Sequence, residues 1–169
     1  MSKSSTAGKF CSNEVVYKIL MSTKEADVLR DVPRGRKDNC QFVIDNTANV
    51  TRKNSHQPIR FWDDCGVWYS KQGRTLKSTL VRNGQGILQS VTQRTGVFCV
   101  KRRVKKKVTW EPIQPQPVVE GVVVLHSYYA TLKADTTYRK RATWLESKPE
   151  IALVEYIGQL TEQKQPCKD

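Results

Sequence analysis

The sequence predicts an α+β fold, mainly antiparallel β-sheet with one or two short helices, in a single compact domain. The chain of 169 residues has the usual size of one domain. Its last third consists of β-branched and aromatic runs joined by short connections, which favour antiparallel neighbours. One stretch near the N-terminus has helical periodicity instead. We expect the domain to span residues 13–160, with flexible tails at 1–12 and 161–169.

A short amphipathic helix is predicted over residues 12–21. Ser12 or Asn13 can cap it, and four apolar residues follow at helical spacing, namely Val15, Val16, Ile19 and Leu20. A turn-rich connection then leads to the apolar segment 41–45, which predicts a strand.

The middle of the chain is predicted to form further short strands. Residues 59–69 indicate two strands around a turn at Asp63 and Asp64. The pattern of residues 75–81 leaves a short helix and an extended segment open. From residue 86 to residue 110, valines are spaced among lysines and arginines, which predicts strands that carry a basic face.

Three strands in antiparallel succession are predicted after Pro112, Pro115 and Pro117, over residues 118–129, 138–145 and 151–157. His126 lies in the first of these runs, where we expect a hydrogen-bonded structural histidine. In the second run, alternation sends Arg139 and Arg141 to one face, and Tyr138 and Lys140 to the other. One pair can therefore face a ligand while its neighbours pack.

The net charge of +13 indicates a polyanionic partner, either nucleic acid or an acidic membrane surface. Between residues 60 and 107 there are twelve basic residues and two acidic ones. No stretch approaches the roughly 18 apolar residues that a membrane span requires, and the basic run is not part of a long amphipathic helix. We therefore expect nucleic acid and no membrane. The N-terminal residues do not resemble a signal peptide, and we expect a nuclear location.

Catalysis, metals and cofactors are not expected. The five cysteines are each more than twenty residues apart and form no CxxC pair, whereas structural zinc sites use closely spaced ligands. Asp63 and Asp64 have no third carboxylate at a suggestive spacing, and a turn explains them better. The chain also has no glycine-rich phosphate-binding loop.

Three clusters of cations are the candidate DNA-binding site. The densest is the segment 101–107, with six cations in seven residues, a composition that neutralises phosphates and that nuclear import receptors also read. The second cluster consists of Lys71, Arg74, Lys77 and Arg82. Arg74 is a better candidate than Lys71 to contact a base edge, because its planar guanidinium can donate two hydrogen bonds at once. The candidate residues are Lys71, Arg74, Lys77, Arg82, Lys101, Arg102, Arg103, Lys105, Lys106, Lys107, Arg139, Lys140 and Arg141.

The segments 124–130 (VLHSYYA) and 137–145 (TYRKRATWL) resemble the C-terminal half of the CG-1 domain, the DNA-binding module of the calmodulin-binding transcription activators. Earlier segments follow the family order: the helix near Glu14, the strand at 42–45 and the basic segment 68–77. The resemblance touches most of residues 14–160. It implies recognition of a short CG-rich duplex element by a nuclear transcription regulator or chromatin reader.

The chain departs from the family pattern in three ways. Ser127 replaces a cysteine, residues 84–116 have no counterpart, and neither ankyrin repeats nor calmodulin-binding IQ segments follow. Calmodulin is therefore not inherited as a partner. Two alternatives stay open: a module for RNA or single-stranded nucleic acid, with Trp68, Tyr69, Tyr128 and Tyr129 stacking on bases, and a protein-interaction module for an acidic partner.

Overall fold

The structure is a computed structural model that describes residues 8–34, 37–47, 68–70 and 75–158. The described part contains one α-helix, α1 (Asn13–Ser22), and short 3-10 turns at Glu25–Asp27 and Val119–Gly121. The strands, in chain order, are β1 (Cys40–Asp45), β2 (Trp68–Tyr69), β3 (Leu76–Arg82), β4 (Leu88–Arg94), β5 (Val97–Val104), β6 (Lys107–Pro112), β7 (Val122–Leu132), β8 (Arg139–Leu145) and β9 (Lys148–Ile157).

The strands form one sheet in the order β1-β9-β8-β7-β3-β4-β5-β6, with β2 paired to β7, and every neighbouring pair is antiparallel. The three consecutive strands predicted in the last third are present as β7, β8 and β9. The expectation of a mainly antiparallel β domain is therefore confirmed. Segment 75–81, which the pattern left undecided, is a strand because it pairs on both sides, with β7 and β4.

Helix α1 covers one face of the sheet. Its N-cap is Ser12, whose hydroxyl accepts a hydrogen bond from the Val15 amide at 3.3 Å, as the capping pattern predicted. Val16 and Leu20 point into the interior and pack against four leucines of the sheet, which are Leu80, Leu125, Leu145 and Leu153. Burial of this apolar stripe fixes the helix on the sheet.

An aromatic and aliphatic cluster covers part of the opposite face. Tyr138 and Tyr156 are its largest buried side chains, and Trp68 packs beside them with ring centroids 5.6 Å from Tyr138 and 6.4 Å from Tyr156. The centre of the sheet, around β8 and β9, is thus buried on both faces. The predicted turn at Asp63 and Asp64, which precedes Trp68, lies outside the described residues.

Strand β4 divides the sheet. Its first half, Leu88 to Val91, pairs with β3, and its last three residues pair with β5. Beyond Cys99, β5 pairs with β6 alone. Residues 100–111 thus form a two-stranded antiparallel extension, which we call the basic ribbon.

The end of the predicted N-terminal tail contacts the sheet. Phe10 and Cys11 fall in the predicted tail, yet both pack on the sheet. The Cys11 amide donates to Glu155 at 2.8 Å, and the Phe10 ring meets Tyr129 edge-on at 5.8 Å. Residues 1–7 and 159–169 lie outside the described part. None of the described helices is long and apolar enough to span a membrane.

Candidate nucleic-acid interface

The basic ribbon carries the densest group of cations in the described part of the chain. All residues from Lys101 to Thr109 are exposed. Val104 lies opposite Lys107, so Lys105 and Lys106 form the two-residue turn at the tip. Lys105 has a φ of 57°, a left-handed conformation that favours glycine. The turn thus places lysine at a position where a simple connection would use glycine.

Charge is distributed very unevenly along the described residues. From Thr75 to Pro112, which covers β3 to β6, there are nine cations and one carboxylate, that of Glu111. The described residues before this stretch have six cations and six carboxylates, and those after it have five of each. The excess positive charge of the described chain therefore lies entirely on one end of the sheet.

Alternation in the ribbon sends cations to both of its faces. Lys101 lies opposite Trp110 and Arg103 opposite Val108, so these side chains share one face. The other face carries Arg102 and Lys107. Both faces therefore present positive charge to solvent.

Two contacts at the base of the ribbon hold individual arginines. Arg94, which is not among the candidates chosen from the sequence, lies over the Trp110 ring with its guanidinium carbon 4.8 Å from the centroid. Arg102 pairs with Glu111 at 3.0 Å, and both side chains are exposed. Arg94 was missed because its proximity to Trp110 depends on the register of three strands. The turn signal at Thr95 and Gly96 is the one local clue to that register.

Lys77 and Arg82 lie on β3, two strands away from β5, and both have local partners. The Lys77 ammonium is 3.9 Å from the Glu146 carboxylate, which also contacts His126 at 3.1 Å. Arg82 donates to the Gly86 carbonyl at 2.8 Å. His126 stacks on the Trp144 ring and is held by Glu146, in keeping with the structural role expected for it.

Lys140 is not available to a nucleic acid, and its assignment to the DNA-binding site is corrected. The side chain is fully buried, with its ammonium 3.8 Å from the centroid of the Trp68 ring and 5.9 Å from that of Tyr156. The predicted alternation is present, but the face that receives Lys140 is the aromatic core. This lysine stabilises the interior through its contact with the aromatic rings.

Arg141 is likewise a structural residue and is removed from the candidate site. It is 4% exposed, and its guanidinium donates to Glu155 at 2.6 Å and to the Cys11 carbonyl at 2.8 Å. Burial lowers the pKa of Arg141, but Glu155 and a hydrogen bond to the Tyr129 hydroxyl outweigh it and raise the pKa above its usual value. The arginine remains charged and ties the N-terminal segment to β8 and β9.

Arg139 is exposed, but the structure separates it from the ribbon. Its guanidinium lies over the Phe10 ring and donates to the Gly8 carbonyl at 3.2 Å. Three strands lie between β8 and β5 in the sheet. At about 4.8 Å per strand, Arg139 is roughly 19 Å or more from the ribbon. The candidate cations therefore do not form one site. Lys71 and Arg74 lie outside the described residues.

Within the described ranges no group of three or more His, Cys, Asp or Glu side chains is placed to hold a metal ion. Comparison of the chain with protein-family models, with curated proteins and with solved structures finds no match.

Proposed function

We propose that this chain binds double-stranded DNA through the basic ribbon, as part of a nuclear transcription regulator or chromatin reader. The observation that carries the proposal is the exposure of six cations on one extension of the sheet, whose only carboxylate is that of Glu111. Such a group neutralises phosphates and releases counterions, which provides most of the affinity of a protein for DNA. The same segment, 101–107, has the composition that an import receptor reads.

The packing of the aromatic residues favours a duplex over a single strand. A single-strand binder needs aromatic rings that are free to stack on bases. Trp68 packs against Tyr138 and Tyr156, Tyr128 is buried, and Tyr129 contacts Phe10 and Arg141. Tyr69, at 43% exposed, is the accessible member of the four aromatic residues considered for stacking.

The preference for a CG-rich element is part of the proposal and derives from the resemblance to the CG-1 domain. The residues that carry this resemblance most strongly, 124–145, form the central strands β7 and β8. The basic ribbon lies within residues 84–116, which have no counterpart in the family pattern. We therefore infer that the ribbon adds contacts of its own, while Lys71 and Arg74 retain the family's candidate positions.

Competition binding with the full chain tests the proposal. A CG-rich duplex is compared with a scrambled duplex, the matching single strand, a structured RNA and heparin, at about 150 mM salt. We expect the CG-rich duplex to compete best. Selection of duplexes from a random pool then defines the element itself.

A charge-matched pair of variants locates the interface. The triple variant Lys105→Gln/Lys106→Gln/Lys107→Gln removes three exposed ribbon charges, and Lys18→Gln/Lys24→Gln/Lys133→Gln removes three exposed charges elsewhere. Each cation removed from the interface lowers affinity about fivefold at about 150 mM salt, so the ribbon variant should bind roughly 100-fold more weakly. The control should stay near wild type. Equal losses, or competition by heparin as good as by duplex, would instead indicate nonspecific attraction to any acidic partner.

A further inference from the structure

The basic ribbon has a shape that suits insertion into a groove. Its backbone pairing with β4 ends at Cys99, and the Val100 side chain still packs against the cluster of Val81, Val91 and Ile113. From there, β5 and β6 pair only with each other as far as the Val104 and Lys107 pair at the tip. At about 3.4 Å per residue, the ribbon extends roughly 14 Å from Val100 to Val104 before the turn.

The placement of the ribbon's cations distinguishes a ribbon that enters a DNA groove from one that lies flat on the DNA. A hairpin that lies flat on DNA needs cations on the one face that meets the phosphates. Here one face carries Lys101 and Arg103, and the opposite face carries Lys107 and Arg102, whose ion pair with Glu111 is exposed to solvent. Lys105 and Lys106 occupy the tip between them. A groove with phosphates on both walls can use both faces at once.

We propose that the ribbon enters the major groove of B-form DNA tip first, with its two faces toward the two phosphate walls and the tip lysines at the base edges. This inference depends on the proposed duplex binding. A β-layer with its side chains is about 10 Å thick, which fits a major groove about 12 Å wide but not a minor groove about 6 Å wide. The major groove of A-form RNA is too narrow to admit the ribbon.

The depth of the groove assigns a contact to each part of the ribbon. The major groove is about 8.5 Å deep, which corresponds to two or three residues of strand. The turn residues Lys105 and Lys106 therefore reach the floor, while the side chains of the strand cations extend from the two faces toward the phosphates. Lysine donates to the O6 and N7 acceptors of guanine, so the tip recognises guanine-containing steps.

The first test uses two double variants of the full chain, one variant for each face, and each variant removes two cations from its face. These are Lys101→Gln/Arg103→Gln and Arg102→Gln/Lys107→Gln. Affinity for the duplex that wild type binds best is measured from about 100 to about 300 mM salt. Because each phosphate contact adds about 0.9 to the salt slope, both variants should lower the slope by nearly two. A change in one variant alone would mean that the ribbon lies flat, and would overturn insertion while leaving duplex binding intact.

The second test replaces guanine by 7-deazaguanine, which removes the N7 acceptor from the major groove and leaves the phosphates unchanged. Wild type should bind the substituted duplex about tenfold more weakly. Lys105→Gln/Lys106→Gln should bind both duplexes equally, because the donors that used N7 are gone. A wild-type affinity that ignores the substitution would overturn contact at the groove floor. Failure of wild type to prefer any duplex would instead reject the proposed function itself.

Discussion

The Arg141 guanidinium lies 2.6 Å from the Glu155 carboxylate, across β8 and β9, with side-chain exposures of 5% and 0%. The second carboxylate oxygen of Glu155 accepts the Cys11 amide at 2.8 Å, and Arg141 donates to the Cys11 carbonyl. One buried ion pair thus holds both backbone groups of a residue near the N-terminus. It stabilises the docked segment only while both partners are present, because either charge alone would be buried without compensation.

Breaking this pair should destabilise the fold without weakening the DNA contact. Glu155→Gln leaves the Arg141 charge buried, and we expect the free energy of unfolding to fall by about 3 to 5 kcal/mol. Glu111→Gln is the control, because the exposed Arg102 and Glu111 pair contributes at most about 1 kcal/mol. Urea denaturation measures both. Similar small losses in the two variants would show that the buried pair is not needed.

The tip of the ribbon allows a variant that separates function from stability. Lys105→Gly removes a charge and relieves a φ of 57°. We expect stability to change by no more than about 1 kcal/mol, in the favourable direction, while affinity for duplex DNA falls about fivefold. Thr95→Gly is the matched control, since Thr95 has a φ of 50° in the neighbouring turn but no charge. An unchanged affinity for Lys105→Gly would exclude the tip from the interface.

Two thiols should make stability depend on pH in the alkaline range. Burial, reinforced by the nearby Glu155 carboxylate, raises the pKa of Cys11 from 9.0 to about 11, and burial raises the pKa of Cys40 to about 11 as well. The unfolded chain releases these protons first. The contribution of both thiols is therefore present below pH 9 and is lost as the pH rises from about 9 to about 11.

The measurement is the free energy of unfolding at about pH 8 and about pH 10.5, under reducing conditions. Wild type should lose more stability over this interval than Cys11→Ser/Cys40→Ser, because serine does not titrate there. An equal loss in the two proteins would show that other groups cause the alkaline destabilisation.

Gly158, at the end of β9, should not tolerate a side chain. Its φ is +104°, and a Cβ there would lie 2.8 Å from the Thr137 carbonyl oxygen and 3.2 Å from the Tyr138 Cα. Both neighbours are backbone atoms, so Gly158→Ala should cost at least about 2 kcal/mol. Gly121→Ala, whose nearest neighbour is a Val118 methyl group at 3.9 Å, should stay within about 0.5 kcal/mol. Thermal or urea unfolding compares the two variants, and equal costs would contradict the clash.

The local pattern of the sequence was enough to predict most elements. The cap at Ser12 and the stripe through Val16 and Leu20 located the helix, and β-branched runs located β7, β8 and β9. These signals are local, since capping and alternation depend on neighbours along the chain. The density of cations between residues 101 and 107 was equally visible, and exposure of this segment follows from the cost of burying unpaired charge.

Tertiary structure alone decided which cations are exposed to solvent. Alternation along the sequence correctly assigned Lys140 and Arg141 to opposite faces of β8. It could not reveal that both faces are covered, one by the aromatic cluster around Trp68 and the other by Phe10 and Cys11. Nor could it reveal that β5 leaves β4 after Cys99 and exposes both faces of the ribbon. Sequence periodicity assigns a side chain to a face. What lies against that face is determined by residues distant in the chain.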